Sequence, residues 1–126
     1  MSSKKELVED KELKLKGFQE IKKSLDTVLA NVNAIKINKN NTDFDITSSS
    51  KIALANLVFL IKTLDKKSKS QTVKDLDYLY KHVMFSIIRV RDHSDFEFID
   101  NSCQILSEIN EGWDRITEAL KKSVAA

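Results

Sequence analysis

The chain has 126 residues, no proline and only two glycines. This predicts one domain over residues 1–126, built from long helices rather than a turn-rich β fold. The 21 basic and 19 acidic residues leave a net charge of +2, which gives little attraction for nucleic acid or anionic lipid.

The longest apolar run, residues 52–61, is too short for membrane insertion, because a spanning helix needs about 20 apolar residues. The single cysteine, Cys103, cannot form an internal disulfide, which is typical of the reducing cytoplasm. The charged first ten residues lack the apolar core of a signal peptide. We therefore expect a cytoplasmic location.

The first helix is predicted from apolar residues that recur every three or four positions between Phe18 and Ile35. Residues 1–16 are rich in Lys and Glu and fit either a helical extension or a loose tail. The sequence leaves both alternatives open. Gly17 costs about 1 kcal/mol relative to alanine inside a helix, so it is a candidate for a bend.

Residues 37–47 are rich in Asn and Asp, which favour turns, and they predict a loop. Thr47 and residues 48–50, all serine, are candidate N-caps for the second helix. That helix is apolar nearly all round up to Leu64. It is therefore either the most enclosed element or has one face that awaits a partner.

The third helix is predicted to begin with Ser70 or Thr72 as its N-cap and to run to about Arg91. The last helix follows Ser94 or Asp95 as its cap. Short connections make sequential helices neighbours. The sequence therefore predicts an all-α fold, an antiparallel up-and-down four-helix bundle with helices of similar length.

No pattern in the chain indicates catalysis. His82 and His93 have no other His or Cys at ligand spacing, and Cys103 is expected to be a small buried core residue. Trp113 is expected to anchor the core, and Gly112 to allow close helix approach. With no Gly-rich phosphate loop and no catalytic acid pair, we expect no enzyme activity, cofactor, metal site or small-molecule substrate.

Three segments within residues 50–120 carry a family resemblance. They are Leu76–His82, with Leu79-Tyr80, then the polar turn Asp92–Phe96, and finally Ile105–Ile116, with Gly112-Trp113. In these segments the chain resembles the flagellar export chaperone family FliS. The first third departs from the family pattern, because it has no proline and no tyrosine before Tyr78. Two versions therefore stay open, a diverged FliS and a FliS-like co-chaperone that assists FliS itself.

The resemblance implies a non-enzymatic binder of the C-terminal region of flagellin, which prevents premature polymerisation in the cytoplasm, or a binder of a FliS chaperone. Such recognition lays an amphipathic helix into an apolar groove. Candidate groove residues lie off the main apolar stripes: Ile37, Phe44, Phe59, Tyr78, Phe85, Val90 and Phe96.

Two further hypotheses need no resemblance. The main alternative is a structural or adaptor bundle that self-associates or binds another amphipathic helix. A weak nucleic-acid binder acting through its Lys-rich N-terminus is the other, and its affinity would fall steeply with salt.

Overall fold

Four α-helices and no strand make up residues 4–125, which the computed structural model describes. The helices are α1 (Lys4–Ile37), α2 (Ile46–Lys62), α3 (Gln71–His93) and α4 (Ile99–Ala125). The all-α prediction is confirmed. The expectation of similar lengths is wrong, because the helices contain 34, 17, 23 and 27 residues.

The core is a single cluster to which every helix contributes. Helix α1 packs against α2 and α4, and α3 packs against the same two helices. The stripe predicted in α1 is confirmed, and Cys103 is buried as expected. The fully or almost fully buried apolar side chains are Leu25, Val28, Val32, Ile35, Ala53, Leu57, Leu60, Tyr80, Val83, Ile87, Val90, Ile99, Cys103 and Leu106.

Helices α1 and α4 run in opposite directions over most of their length. The Nζ atom of Lys11 donates to Ser123 Oγ at 2.8 Å. Further along α1, Lys22 Nζ lies 3.1 Å from an Asp114 carboxylate oxygen, and Lys36 Nζ lies 3.3 Å from one of Asp100. Partner numbers in α4 thus fall as residue numbers in α1 rise.

The N-terminal segment is a helical extension of α1 from Lys4 onward, and residues 1–3 lie outside the described part of the chain. Residues 4–14 are all exposed, so this stretch contributes little to the core. Helix α1 continues through Gly17. A Cβ placed on Gly17 would meet nothing within 4 Å.

The N-cap of α2 is Asp45, not Thr47 or one of the three serines that follow it. Its carboxylate accepts the backbone N–H of Ser48 at 3.0 Å and the Ser48 hydroxyl at 2.6 Å. The four predicted residues instead lie within the first turns of α2. A carboxylate at this position also suits the positive end of the helix dipole.

The ends of α3 also differ from prediction in part. Ser70 occupies the N-cap position, although its side chain makes no capping hydrogen bond, and Thr72 lies inside the helix. Ser94 ends α3 in a left-handed conformation with φ 52° instead of starting α4. The Asp95 carboxylate accepts the guanidinium of Arg89 at 2.8 Å, and α4 begins only at Ile99.

Candidate partner-binding surface

The outward face of α2 is apolar. Helix α2 contains no acidic residue, and its two lysines stand near the ends of this face. Ala53, Leu57 and Leu60 are buried in the core, and Leu54 and Ile61 pack partly against it, so other apolar residues of the helix face outward. Of the two sequence alternatives for this helix, full enclosure is wrong, because one apolar face is exposed to solvent.

We call this outward face the α2 patch. Its members follow one another at helical spacing and lie on a surface exposed to solvent. Ile52, Val58 and Phe59 are 47%, 40% and 38% exposed, and the small side chain of Ala55 between them is also exposed. Contiguous exposed apolar surface of this kind marks interaction sites in soluble proteins. The patch is composed of Ile52, Ala55, Val58 and Phe59.

Phe59 also borders a shallow groove between α1 and α2. The groove has a volume of about 390 Å³, and Ser24, Thr27 and Asn56 lie on its walls. The aromatic ring therefore lies between the apolar α2 patch and a polar groove to which α1 and Asn56 of α2 contribute. A helix that docked on the patch would cover the apolar side and leave the polar groove at its edge.

The seven residues predicted from the sequence do not form one site. Phe44 and Phe96 are brought together on a cavity of about 400 Å³ beside the α1–α2 loop, where Lys39 Nζ lies 5.7 Å from the Phe96 ring centroid. Ile37 and Tyr78 are exposed on α1 and α3.

Phe85 is half exposed, and its ring centroid lies 5.3 Å from that of Phe98. The expectation that Val90 lies off the main stripe is wrong, because it is only 1% exposed. Val83, Ile87 and Val90 follow one another by four and three residues and therefore share the buried face of α3.

A second apolar surface was missed by the sequence reasoning. It is a cavity of about 450 Å³ where the connection between α2 and α3 meets α1 and α4, and we call it the end cavity. Its apolar residues had been assigned to the core or to helix contacts. Those that line it are Ile21, Leu64, Val73, Leu76, Ile109, Gly112, Trp113 and Ile116.

Gly112 opens this cavity. A Cβ atom on Gly112 would meet nothing within 4 Å, so the prediction that this glycine allows close helix approach is wrong. Its neighbour Trp113 packs against the core as predicted. The ring centroids of Trp113 and Phe18 lie 5.2 Å apart in an edge-to-face arrangement. The same indole also lines the end cavity.

The tyrosine and tryptophan that stood out in the sequence are neighbours in space. Burial raises the pKa of the Tyr80 hydroxyl, and the nearby Trp113 side chain opposes that rise. Two of the three segments that carry the family resemblance therefore meet at the border of the core and the end cavity.

Two further properties of residues 4–125 concern metal binding and membrane insertion. Within this range no group of three or more His, Cys, Asp or Glu side chains is placed to hold a metal ion. None of the described helices has both the length and the apolar character needed to cross a bilayer.

Comparison with known proteins gives one match. The family model described as "Flagellar protein FliS" matches residues 25–120. No curated protein and no solved structure matched the chain. The family match begins within α1, earlier than the resemblance at residues 50–120, so it includes the core stripe from Leu25 to Ile35. FliS is a family of flagellar chaperones, and this chain belongs to it.

Proposed function

We propose that this protein is a cytoplasmic flagellar export chaperone that binds the amphipathic C-terminal region of flagellin and prevents its premature polymerisation. Family membership supports this proposal. The observation that carries it is the α2 patch, a row of exposed apolar side chains on a helix without acidic residues. Such a row suits helix-in-groove recognition, in which an amphipathic helix covers apolar surface.

The second version of the same function is a co-chaperone whose client is a FliS protein. Both versions use a single domain in an antiparallel up-and-down arrangement. The opposite directions of α1 and α4 and the packing of α2 and α3 on the same two neighbours support that arrangement. No enzymatic step is part of the proposal.

Calorimetric titration with a flagellin C-terminal peptide and, separately, with a FliS protein distinguishes the two versions. We expect 1:1 binding of one of them. Phe59→Glu should weaken that binding at least about tenfold, because a carboxylate would have to lose its water at the interface.

The matched control is Leu13→Glu, which adds the same charge at an exposed leucine outside the patch and should leave the affinity unchanged. Binding of neither partner would reject the proposal. A dimer in light scattering that Phe59→Glu converts to a monomer would support the self-associating adaptor instead.

A further inference from the structure

The end cavity differs from the α2 patch in its electrostatic surroundings. Between Thr63 and Lys74 the chain has four lysines, Lys66, Lys67, Lys69 and Lys74, and one acidic residue, Asp65. None of the four forms a salt bridge with any residue in the described range. Asp65 lines the end cavity itself, and its carboxylate accepts the backbone N–H of Lys67 at 3.0 Å.

Two of these lysines lie directly beside the apolar cavity. A second cavity of about 300 Å³ contains Lys66 and Lys74 and shares Leu64 and Val73 with the end cavity. A third lysine there, Lys81, is already paired with Asp77 at 2.8 Å. The end cavity, which Asp65 also lines, thus adjoins a surface with two lysines, Lys66 and Lys74, that form no salt bridge within residues 4–125.

We propose that the end cavity is a second docking site, separate from the α2 patch, for an amphipathic helix whose aliphatic side chains are flanked by Asp or Glu. Aliphatic side chains four residues apart on the partner lie on one face of a helix. They would enter the space between Leu76, Trp113 and Ile116. The flanking carboxylates would then face Lys66 and Lys74.

The volume of the cavity is consistent with this occupant. At about 450 Å³ it falls within the range of pockets that take ligands and has room for more than one aliphatic side chain. Because Gly112 places no side chain in this space, the wall of α4 is open at the point where the partner would insert. Charge complementarity at the rim selects an acidic partner over a basic one.

Trp113 provides a direct signal for occupancy, because it is the only tryptophan in the chain and lines the cavity. The probe is a synthetic helical peptide with two leucines four residues apart and glutamates on both sides. Its control has lysines in place of the glutamates. We expect the acidic peptide to move Trp113 emission to shorter wavelength and to bind at least about tenfold more tightly at low salt, with the difference shrinking as salt is added.

The test variant is Gly112→Leu, whose side chain would occupy the cavity. Its control is Gly17→Leu, because a Cβ at Gly17 also meets nothing within 4 Å and both replacements raise helix propensity. Gly112→Leu should weaken peptide binding at least about tenfold, whereas Gly17→Leu should bind like the natural protein. Far-ultraviolet circular dichroism of both variants measures whether they fold like the natural protein.

A charge-reversed variant, Lys66→Glu with Lys74→Glu, should prefer the lysine-flanked peptide. Phe59→Glu should leave the change in Trp113 emission unaltered. Binding of the peptide at the end cavity therefore does not depend on whether the α2 patch binds a partner. Equal affinity for the two peptides, or equal binding by the two leucine variants, would overturn the proposal. A Trp113 response to dodecanoate without one to the acidic peptide would overturn it in favour of a lipid-like ligand.

Discussion

Ser86 and Ser102 form a buried polar contact where α3 meets α4. The Ser102 hydroxyl donates to Ser86 Oγ at 2.6 Å, and the Ser86 hydroxyl donates to the His82 carbonyl oxygen at 3.0 Å. Ser102→Ala removes one hydrogen bond and leaves Ser86 satisfied. Ser86→Ala removes the partner of Ser102, whose hydroxyl stays buried. The two replacements therefore have different physical consequences.

We expect Ser102→Ala to lower the free energy of unfolding by about 1 kcal/mol, and Ser86→Ala to lower it by more, up to about 3 kcal/mol. The double replacement should cost less than the sum of the two, because both act on one contact. Urea unfolding of the three variants measures these differences. If the two single replacements lowered the free energy of unfolding equally, and if their effects added in the double variant, the direction assigned to these hydrogen bonds would be wrong.

Tyr80 makes stability depend on pH at the alkaline end. Burial raises the pKa of its hydroxyl in the folded protein above the ordinary tyrosine value of about 10, so the unfolded chain loses this proton first. The stabilisation is fully present below about pH 10, and the free energy of unfolding falls as pH rises from there towards the folded pKa.

Tyr80→Phe has no proton to lose and should show a shallower decline over the same pH range. Unfolding by urea at several alkaline pH values measures the slope. The matched control is Tyr78→Phe, because Tyr78 is exposed on the same helix. If Tyr80→Phe and the natural protein had identical slopes, the proposed role of Tyr80 burial would be wrong.

At the scale of elements, the first three turns of α1 extend beyond the core. Residues 4–14 are exposed throughout, while the end cavity begins at Ile21. Deleting residues 1–14 should therefore lower the free energy of unfolding by less than about 1 kcal/mol, since tolerance of truncation follows burial. Thermal melting by circular dichroism checks this. A large fall in Tm would show that the segment stabilises the bundle through its contact between Lys11 and Ser123.

Helix interiors could be predicted from the sequence, and helix ends largely could not. The stripe from Leu25 to Ile35 is periodic enough to identify the buried face of α1 without any structure. At the start of α2, however, Asp45 and Ser48 are both residue types that cap helices. The choice depends on where the backbone leaves its helical conformation, and neighbouring side chains do not encode this strongly.

The candidate site was predictable only in part for a related reason. Phe59 was predicted to lie outside the core because it lies off the stripe of α2. The structure confirms that its side chain is exposed. Val90 was predicted to lie off the stripe of α3, although it continues that stripe at the same helical spacing. Gly112 could not be interpreted from the sequence, because a glycine next to a tryptophan fits both close packing and an open cavity. The position of the α2–α3 connection decides between them.

At the scale of the whole molecule, the proposed function depends on apolar surface that folding leaves exposed. If the flagellin peptide covers the α2 patch, binding must remove apolar area from water. This gives a negative heat-capacity change. The peptide is also expected to become helical on binding. This ordering has an entropic cost and contributes a favourable enthalpy, which becomes larger as the temperature rises.

We therefore expect the binding enthalpy of the peptide, measured by calorimetry at several temperatures, to become more favourable on warming. Phe59→Glu should reduce the slope, because less apolar area is buried, whereas Leu13→Glu should leave it unchanged. Tight binding with a slope near zero would mean that the contact is mainly polar. We would then assign the contact to the lysines on the α2–α3 connection rather than to the α2 patch.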